Sequence, residues 1–296
     1  MEKKQNHGHI MALVWVLVWG STFVVSKELL TFLQPVQLML MRFAMAYVAL
    51  CFICPKFSFK PKEEWRFLLM ALFANTLYCW AENTAISLTQ ASNVSILVST
   101  TPIMTAVTMA VLHKDERLSI SQIIGFAIAF AGVVLVVFNG AISLKLNPAG
   151  DMLALLAAAF WAAYGFLLRR WSSLYDSALI TRKLMFYGFW TTLPLVLLQG
   201  KAIDFVQLFE LKHILMLSFL GLVGSAGCYM LWGSAVQKIG VLSANLYINM
   251  VPLVTLIVSA VVLGEKITVM GLCGIVLVIS GMILGTMEFT GKKSEA

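Results

Sequence analysis

Two stretches about half the chain apart share one pattern, residues 92–138 and residues 243–287. Each begins with an apolar run that has a proline near its middle, Pro102 in the first copy and Pro252 in the second. A short charged hinge follows, and a second apolar run with spaced glycines closes the copy. A repeat at this separation indicates that the chain consists of two copies of one unit. The fold must therefore place two equivalent halves together.

The composition indicates the environment in which these halves fold. Of the 296 residues, 60% are hydrophobic and 12% are charged, and the mean hydropathy is +0.89. A soluble domain of this composition would expose too much apolar surface, so the sequence predicts an all-α integral membrane protein. Apolar runs of bilayer-crossing length, numbered here as spans 1 to 10, occur at residues 10–31, 35–54, 65–88, 91–112, 119–138, 148–168, 177–198, 212–237, 242–263 and 269–287.

The basic residues predict the orientation of these spans. With the N-terminus in the cytoplasm, 15 of the 21 lysines and arginines fall in cytoplasmic segments and 5 in outer ones. This excess places both termini in the cytoplasm. Because each half has an odd number of spans, the second half is inverted relative to the first. We therefore expect ten transmembrane helices as two inverted five-helix repeats around a central cavity, at residues 1–143 and 147–289, with a cytoplasmic tail at 290–296.

Spans 4 and 9 carry polar side chains at matching positions. Ser95 and Ser99 share one face of span 4, and Asn245 and Asn249 share one face of span 9, because residues four apart lie on the same side of a helix. An offset of 150 residues relates each serine to one asparagine. Polar groups inside a bilayer turn toward protein or water, so the two faces predict a shared polar cavity. The alternative is that they only join neighbouring helices by hydrogen bonds.

The two prolines lie on the same helices as these polar faces. A proline lacks a backbone N–H and leaves the carbonyl four residues earlier without its helical partner, here Val98 before Pro102 and Ile248 before Pro252. A kinked helix beside a cavity suits a gate, so both prolines are hinge candidates. A static kink is the alternative.

Aromatic and polar residues on the other inward-facing spans extend the predicted cavity. Aromatic rings with hydroxyl and amide groups between them suit an amphiphilic solute. Tryptophan and tyrosine are also common at membrane interfaces, which is the alternative explanation for some of these rings. The further candidates for the substrate cavity are Trp15, Trp19, Asn75, Tyr78, Glu82, Trp161, Tyr164 and Trp232.

Glu82 is a carboxylate inside span 3, which makes it a candidate functional residue by default. Counted along the helices at 1.5 Å per residue, Arg42 of span 2 lies at a similar depth, roughly 10 Å below the outer surface. Two interpretations are open. Glu82 holds a substrate amine or a proton, or Arg42 and Glu82 form a buried ion pair that joins spans 2 and 3.

Four short motifs point to one family of membrane proteins. They are Trp19-Gly20-Ser21-Thr22-Phe23, Arg42-Phe43, Pro102 followed by Glu116-Arg117-Leu118-Ser119, and Pro252 followed by Leu263-Gly264-Glu265-Lys266. Through them nearly the whole chain resembles an EamA-type member of the drug/metabolite transporter superfamily. The resemblance implies two inverted repeats around a central cavity and outward movement of small metabolites, often amino acids. The first hinge departs from the family pattern, because it reads His113-Lys114-Asp115-Glu116 where the family has Leu-Gly-Glu.

We therefore expect a secondary transporter in the plasma membrane, a bacterial inner membrane, that exports small amphiphilic metabolites by alternating access, with amino acids as the leading class. An importer or exchanger of nucleosides, sugars or vitamins is the first alternative, and a membrane-embedded lipid enzyme is the second. An enzyme is disfavoured because no catalytic motif stands in a loop. No nucleotide-binding motif is present either, so an ion gradient, such as that of protons, or facilitation drives transport. We expect no cofactor, no metal and no nucleic-acid partner; the partners are the solute and the lipid bilayer, and the protein is a monomer or a homodimer.

Overall fold

The computed structural model describes residues 2–55, 58–89, 91–112, 120–138, 147–263 and 269–291, and every regular element within these ranges is helical. The α-helices are α1 (Glu2–Leu29), α2 (Pro35–Ile53), α3 (Glu64–Ala71), α4 (Tyr78–Leu88), α5 (Ala91–Val98), α6 (Thr101–Leu112), α7 (Ile120–Phe138), α8 (Pro148–Trp171), α9 (Ser177–Gln199), α10 (Phe205–Leu208), α11 (Leu211–Ser218), α12 (Cys228–Ile239), α13 (Val241–Leu246), α14 (Val251–Leu263) and α15 (Val269–Gly291). The predicted charged hinges fall at 113–119 and 264–268, outside the described residues, as does the tail from residue 292.

Four helices in the described part of the chain are long and apolar enough to cross a membrane. They lie at Gln5–Leu29, Pro35–Ile53, Pro148–Leu174 and Leu211–Ile239. They agree with spans 1, 2, 6 and 8 and support a helical membrane protein. The count of ten crossings and the inverted repeats stay predictions.

Two helical runs contain a π-helical segment at corresponding places in the two halves. The segment Leu72–Leu77 joins α3 to α4, and the segment Phe219–Gly227 joins α11 to α12. The first segment, moved by 150 residues, falls on the last six residues of the second. A π turn adds a residue to a helical turn, so the side chains that follow it point in different directions from those of an uninterrupted α-helix.

The helical runs of spans 4 and 9 are both interrupted just before their prolines. Pro102 lies in the first turn of α6, after a turn at residues 99–100, and Pro252 lies in the first turn of α14, after the 3₁₀ segment Tyr247–Met250. The Thr101 hydroxyl donates to the Val98 carbonyl over 2.6 Å. This is the carbonyl that Pro102 was expected to leave free, so a nearby side chain provides its partner. The role of the two prolines as hinges stays a prediction.

Helices α7 and α15 pack closely through glycines. A Cβ atom on Gly132 would lie 2.7 Å from the carbonyl oxygen of Gly274, and a Cβ atom on Gly281 would lie 2.6 Å from that of Gly125. Each helix therefore uses a glycine against the backbone of the other, as expected where small residues let two helices approach. Gly281 thus takes part in packing within the chain.

The ends of the helices form two opposite groups, named here after one residue in each. The His9 end holds His9, whose Nδ1 lies 2.8 Å from the Tyr247 hydroxyl, together with the last turn of α12 and the start of α3. The Lys27 end holds the end of α1, the end of α4 and the start of α8. The main hydrophobic core lies between these two ends.

Candidate functional site

Four buried tryptophans meet in the middle of the molecule, and we call them the tryptophan cluster: Trp15, Trp19, Trp161 and Trp232. Trp15 and Trp19 lie one turn apart on α1, while Trp161 comes from α8 and Trp232 from α12. The ring centroids of the recorded pairs are 4.5 to 6.4 Å apart, which is typical of favourable aromatic pairs. All four are at most 5% exposed, so they belong to the core rather than to an interfacial belt.

A small cavity adjoins this cluster. The space open to the centre of a water-sized sphere is about 10 Å³, which is room for about one water molecule. Its walls come from α1, α2, α4, α8 and α12 and from the second π segment, through Trp15, Trp19, Arg42, Tyr78, Cys79, Glu82, Trp161, Gly224, Cys228 and Tyr229. A metabolite needs far more room, so the described conformation is closed around this point.

Arg42 and Glu82 both line the cavity but are not in contact with each other. Arg42 is 4% exposed, and its Nε donates to the Ser225 hydroxyl over 2.9 Å. Glu82 is 5% exposed, and its carboxylate accepts a hydrogen bond from the Tyr78 hydroxyl. In the described part of the chain, no ion pair within 4 Å includes either residue. The direct pair that was one of the two interpretations is therefore not formed in this conformation.

The π-helical segments position several groups around the cavity. Ser225, which binds Arg42, lies within Phe219–Gly227, and its hydroxyl also donates to the Leu220 carbonyl over 2.9 Å. The Tyr229 hydroxyl donates to the Ala74 carbonyl of the other π segment over 2.8 Å. The two segments thus connect the halves directly beside the cavity. The sequence analysis did not select Tyr229. The 150-residue offset relates Tyr229 to Cys79, which directly follows the predicted Tyr78, so the repeat could have indicated it.

Asn75 lies away from the cavity and contacts α9. Its side-chain nitrogen donates to the Leu184 carbonyl over 2.9 Å. Gly188 makes room for it, because a Cβ atom there would lie 2.5 Å from the same nitrogen. The structure therefore places Asn75 in helix–helix packing. Tyr164 is not a wall of the cavity but packs on Trp161, with centroids 5.2 Å apart.

The predicted polar faces of spans 4 and 9 are buried but do not line the small cavity. The Ser99 hydroxyl donates to the Ser95 carbonyl over 2.8 Å, and the Asn249 amide donates to the Leu246 carbonyl over 3.2 Å, both within their own helical runs. Both amide atoms of Asn245 are buried without a hydrogen-bond partner among the described residues. Among the described residues, Ser99, Asn245 and Asn249 therefore make no side-chain hydrogen bonds to another helix, which the alternative interpretation needs.

Metal binding has no support in the described ranges. No three side chains of His, Cys, Asp or Glu come together there in a way that could hold an ion. The walls of the cavity bring together a guanidinium, a carboxylate, phenol hydroxyls and indole rings around one point.

Known proteins resemble the whole chain. A model of the EamA-like transporter family matches residues 6–138 and again residues 148–287. An Archaeoglobus fulgidus protein named "Uncharacterized transporter" is 28% identical over 95% of this chain and 97% of its own. A "Probable amino-acid metabolite efflux pump" of Escherichia coli is 25% identical over 96% of both chains, and a "Probable terminal-alkyne amino-acid exporter" of Streptantibioticus cattleyicolor is 27% identical over 96% of both.

A solved structure shares the fold. A crystal structure with 16% sequence identity superposes with a TM-score of 0.77 and covers 98% of this chain and 99% of its own. At this identity the likeness speaks for the fold alone.

Proposed function

Because the chain belongs to the EamA-like transporter family, we propose that it is a secondary transporter of the plasma membrane that exports small amphiphilic metabolites, amino acids first among them, by alternating access. The family is one of transporters, so the protein acts by moving a solute rather than by catalysing a reaction. The two relatives whose names mention amino acids are aligned over 96% of this chain. Their names support the substrate class, and the geometry of the cavity supports it independently.

The observation that carries the substrate proposal is the separation of Arg42 from Glu82. Both are buried in the wall of one cavity, and neither has an opposite charge within 4 Å among the described residues. Buried charges are costly unless they are compensated. A zwitterion compensates both, with its carboxylate at the guanidinium of Arg42 and its amine at Glu82. The tryptophan cluster beside them provides an apolar surface for the side chain of the solute.

The proposed architecture has ten transmembrane helices in two inverted five-helix repeats, residues 1–143 and 147–289. It is supported by the two successive matches of the family model. Corresponding π-helical segments, corresponding interruptions before the prolines, and the reciprocal glycine contacts of α7 and α15 support it further. Two repeats that exchange conformations provide inward and outward states.

The excess of basic residues supports placing the His9 end, and with it both termini, in the cytoplasm, in a bacterial inner membrane. We propose that a proton gradient drives export, with Glu82 binding either the amine of the solute or a proton. This exchange couples the two, because one carboxylate cannot hold both at once. The protein functions as a monomer or a homodimer; the Gly281 contact with α7 uses one of the surfaces that a dimer would need.

The test is uptake by inside-out vesicles, in which export appears as accumulation. The panel contains leucine, phenylalanine, the methyl ester and the N-acetyl derivative of each, a nucleoside and a sugar, each with and without a proton gradient. We expect uptake of the free amino acids, because only they carry both charges. The esters and N-acetyl forms each lose one partner, and charge-assisted hydrogen bonds contribute about 1.5–3 kcal/mol. Equal uptake of the nucleoside or of both blocked forms would contradict the proposal.

A further inference from the structure

One tyrosine at the His9 end joins several of the helices that form the cavity. Tyr175 lies in the connection between α8 and α9, and its hydroxyl accepts a hydrogen bond from Arg66 Nη1 over 2.9 Å and donates one to Glu63 over 2.8 Å. Its ring packs on Phe67 with centroids 4.8 Å apart. The start of α3 is thereby held to the end of α8.

Helix α12 is attached to the same point. The side-chain nitrogen of Gln237 donates to the Ser172 carbonyl over 2.8 Å and to the Tyr175 carbonyl over 3.1 Å. We call Glu63, Arg66, Tyr175 and Gln237 the Tyr175 latch. It joins three helical runs that contribute cavity walls, since Trp161 lies on α8, Glu82 on the run that begins with α3, and Tyr229 on α12.

A second set of contacts closes the Lys27 end. Lys27 of α1 donates from Nζ to the Ile86 carbonyl over 2.6 Å and to the Thr89 carbonyl over 2.9 Å. A lysine at the last carbonyls of a helix satisfies acceptors that have no helical partner. Asn147, just before α8, donates to the Leu88 carbonyl over 3.1 Å. We call Lys27 and Asn147 the Lys27 latch; it holds α1 and α8 to the end of α4.

Both ends are thus joined while the cavity between them holds about one water molecule. We propose that the Tyr175 latch and the Lys27 latch are the two gates of the transport cycle, and that each breaks when the cavity opens to its own side. This inference rests on the proposed function for its place in a cycle. The latches share α8 and the helical run that contains α3 and α4, but no residue, so one can open while the other stays closed.

The chemistry of the Tyr175 latch suits a gate that stays closed at neutral pH. The hydrogen bond from Tyr175 lowers the pKa of the Glu63 carboxyl below its ordinary value, and the Lys60 charge lowers it further. Glu63 therefore remains an ionised acceptor, and charge-assisted hydrogen bonds are the stronger kind. The partly exposed position of these side chains lets water replace the bonds when the gate opens.

The chain contains its own reporters of opening. Cys79 and Cys228 line the cavity and are each 2% exposed. With Cys51, Cys54 and Cys273 replaced by serine, the rate at which a membrane-impermeant maleimide alkylates the remaining two measures access from one side. Vesicles of the two orientations present the two sides. This assay needs no substrate, so a failure of the proposed substrate would leave its result interpretable.

Tyr175→Phe removes both hydroxyl bonds of the first latch. We expect alkylation to become about tenfold faster from the His9 side and to stay unchanged from the other, because losing a hydrogen bond to a charged group corresponds to about a tenfold shift. Lys27→Met keeps the apolar stem of the side chain and loses its hydrogen-bond donors. We expect this variant to be alkylated faster from the Lys27 side and at an unchanged rate from the His9 side. Gln237→Ala and Asn147→Ala test the same latches if either variant folds poorly.

Tyr187→Phe is the matched control. The Tyr187 hydroxyl also donates to a carboxylate, Glu64, over 2.6 Å at the same end, but it lies on α9, which provides no cavity wall. We expect no change in labelling for this variant. The inference is overturned if the latch variants are alkylated at the parental rate from both sides. It is also overturned if alkylation becomes faster to the same extent from both sides and also in Tyr187→Phe, because that result indicates a general loosening of the fold.

Discussion

Replacing each of two buried glutamates by glutamine separates a binding carboxylate from a structural one. Glu64 is 8% exposed and accepts from Lys183 Nζ over 2.7 Å and from the Tyr187 hydroxyl over 2.6 Å. Glu82 is 5% exposed, but its hydrogen-bond donor is the neutral Tyr78 hydroxyl. Both residues are less than 10% exposed, and the two positions differ in whether a cation is in contact.

The structure predicts different losses of unfolding free energy for the two variants. Glu64→Gln removes the carboxylate that contacts Lys183 over 2.7 Å, and breaking one side of a buried ion pair costs about 3–5 kcal/mol of unfolding free energy. Glu82→Gln keeps an oxygen that accepts from Tyr78 and breaks no ion pair among the described residues, so we expect a loss of less than about 1 kcal/mol. If Glu82 holds the substrate amine, transport falls about ten- to a hundredfold, since charge-assisted hydrogen bonds contribute about 1.5–3 kcal/mol.

The assay measures thermal unfolding of purified protein in detergent and uptake by the same protein in liposomes. We expect Glu64→Gln to unfold at a temperature several degrees below that of the parent. We expect Glu82→Gln to unfold at the temperature of the parent and to lose uptake. The reasoning is refuted if Glu82→Gln unfolds as early as Glu64→Gln and the double variant with Arg42→Gln recovers stability. That result would make Arg42 and Glu82 a structural pair.

Three further predictions use the same two measurements. Asn245→Leu should leave unfolding within about 1 kcal/mol of the parent, because its amide has no described partner to lose, and should impair uptake; normal uptake would remove Asn245 from the site. Gly281→Leu should destabilise the protein by at least about 1–3 kcal/mol, because its Cβ would lie 2.5 Å from the backbone nitrogen of Ala129; unchanged unfolding would contradict this packing. The Tyr175 hydrogen bond lowers the pKa of Glu63 from its ordinary 4.5. The stability that ionised Glu63 contributes is therefore complete above pH 4.5 and is lost only as the pH falls through the lowered pKa. Glu63→Gln should thus leave the shape of the pH profile of uptake unchanged between about pH 5.5 and 8.

Several features of the site could be predicted from the sequence because local rules determine them. Helical periodicity selected Tyr78 and Glu82 on one face of span 3, and the aromatic residues of spans 1 and 6 gave Trp15, Trp19 and Trp161. All five line the cavity, whereas Trp232, selected by the 150-residue offset, packs in the tryptophan cluster but is not among the cavity walls. Depth counting along the helices likewise placed Arg42 near Glu82. These rules work because a helix has a constant rise and because polar side chains within a bilayer turn toward protein or water.

The sequence did not reveal where a helix departs from its regular turn. The two π-helical segments change the directions of the side chains beyond them, and no residue pattern indicated them in advance. Asn75 lies within the first segment, and its side-chain nitrogen donates to the Leu184 carbonyl of α9. Tyr229, missed by sequence reasoning, reaches the Ala74 carbonyl of the same segment.

The sequence by itself predicted the class of protein, which the family match and the four long apolar helices support. It also predicted two copies of one unit and the depth of each candidate residue, because hydropathy, repetition and helical rise are local properties of the chain. The tertiary structure alone decided which groups at one depth are in contact. Arg42 binds Ser225 and Glu82 binds Tyr78, although both charges face one cavity. Contact depends on the rotation and spacing of five different helices to within an ångström, and only the packing of the whole molecule sets those quantities.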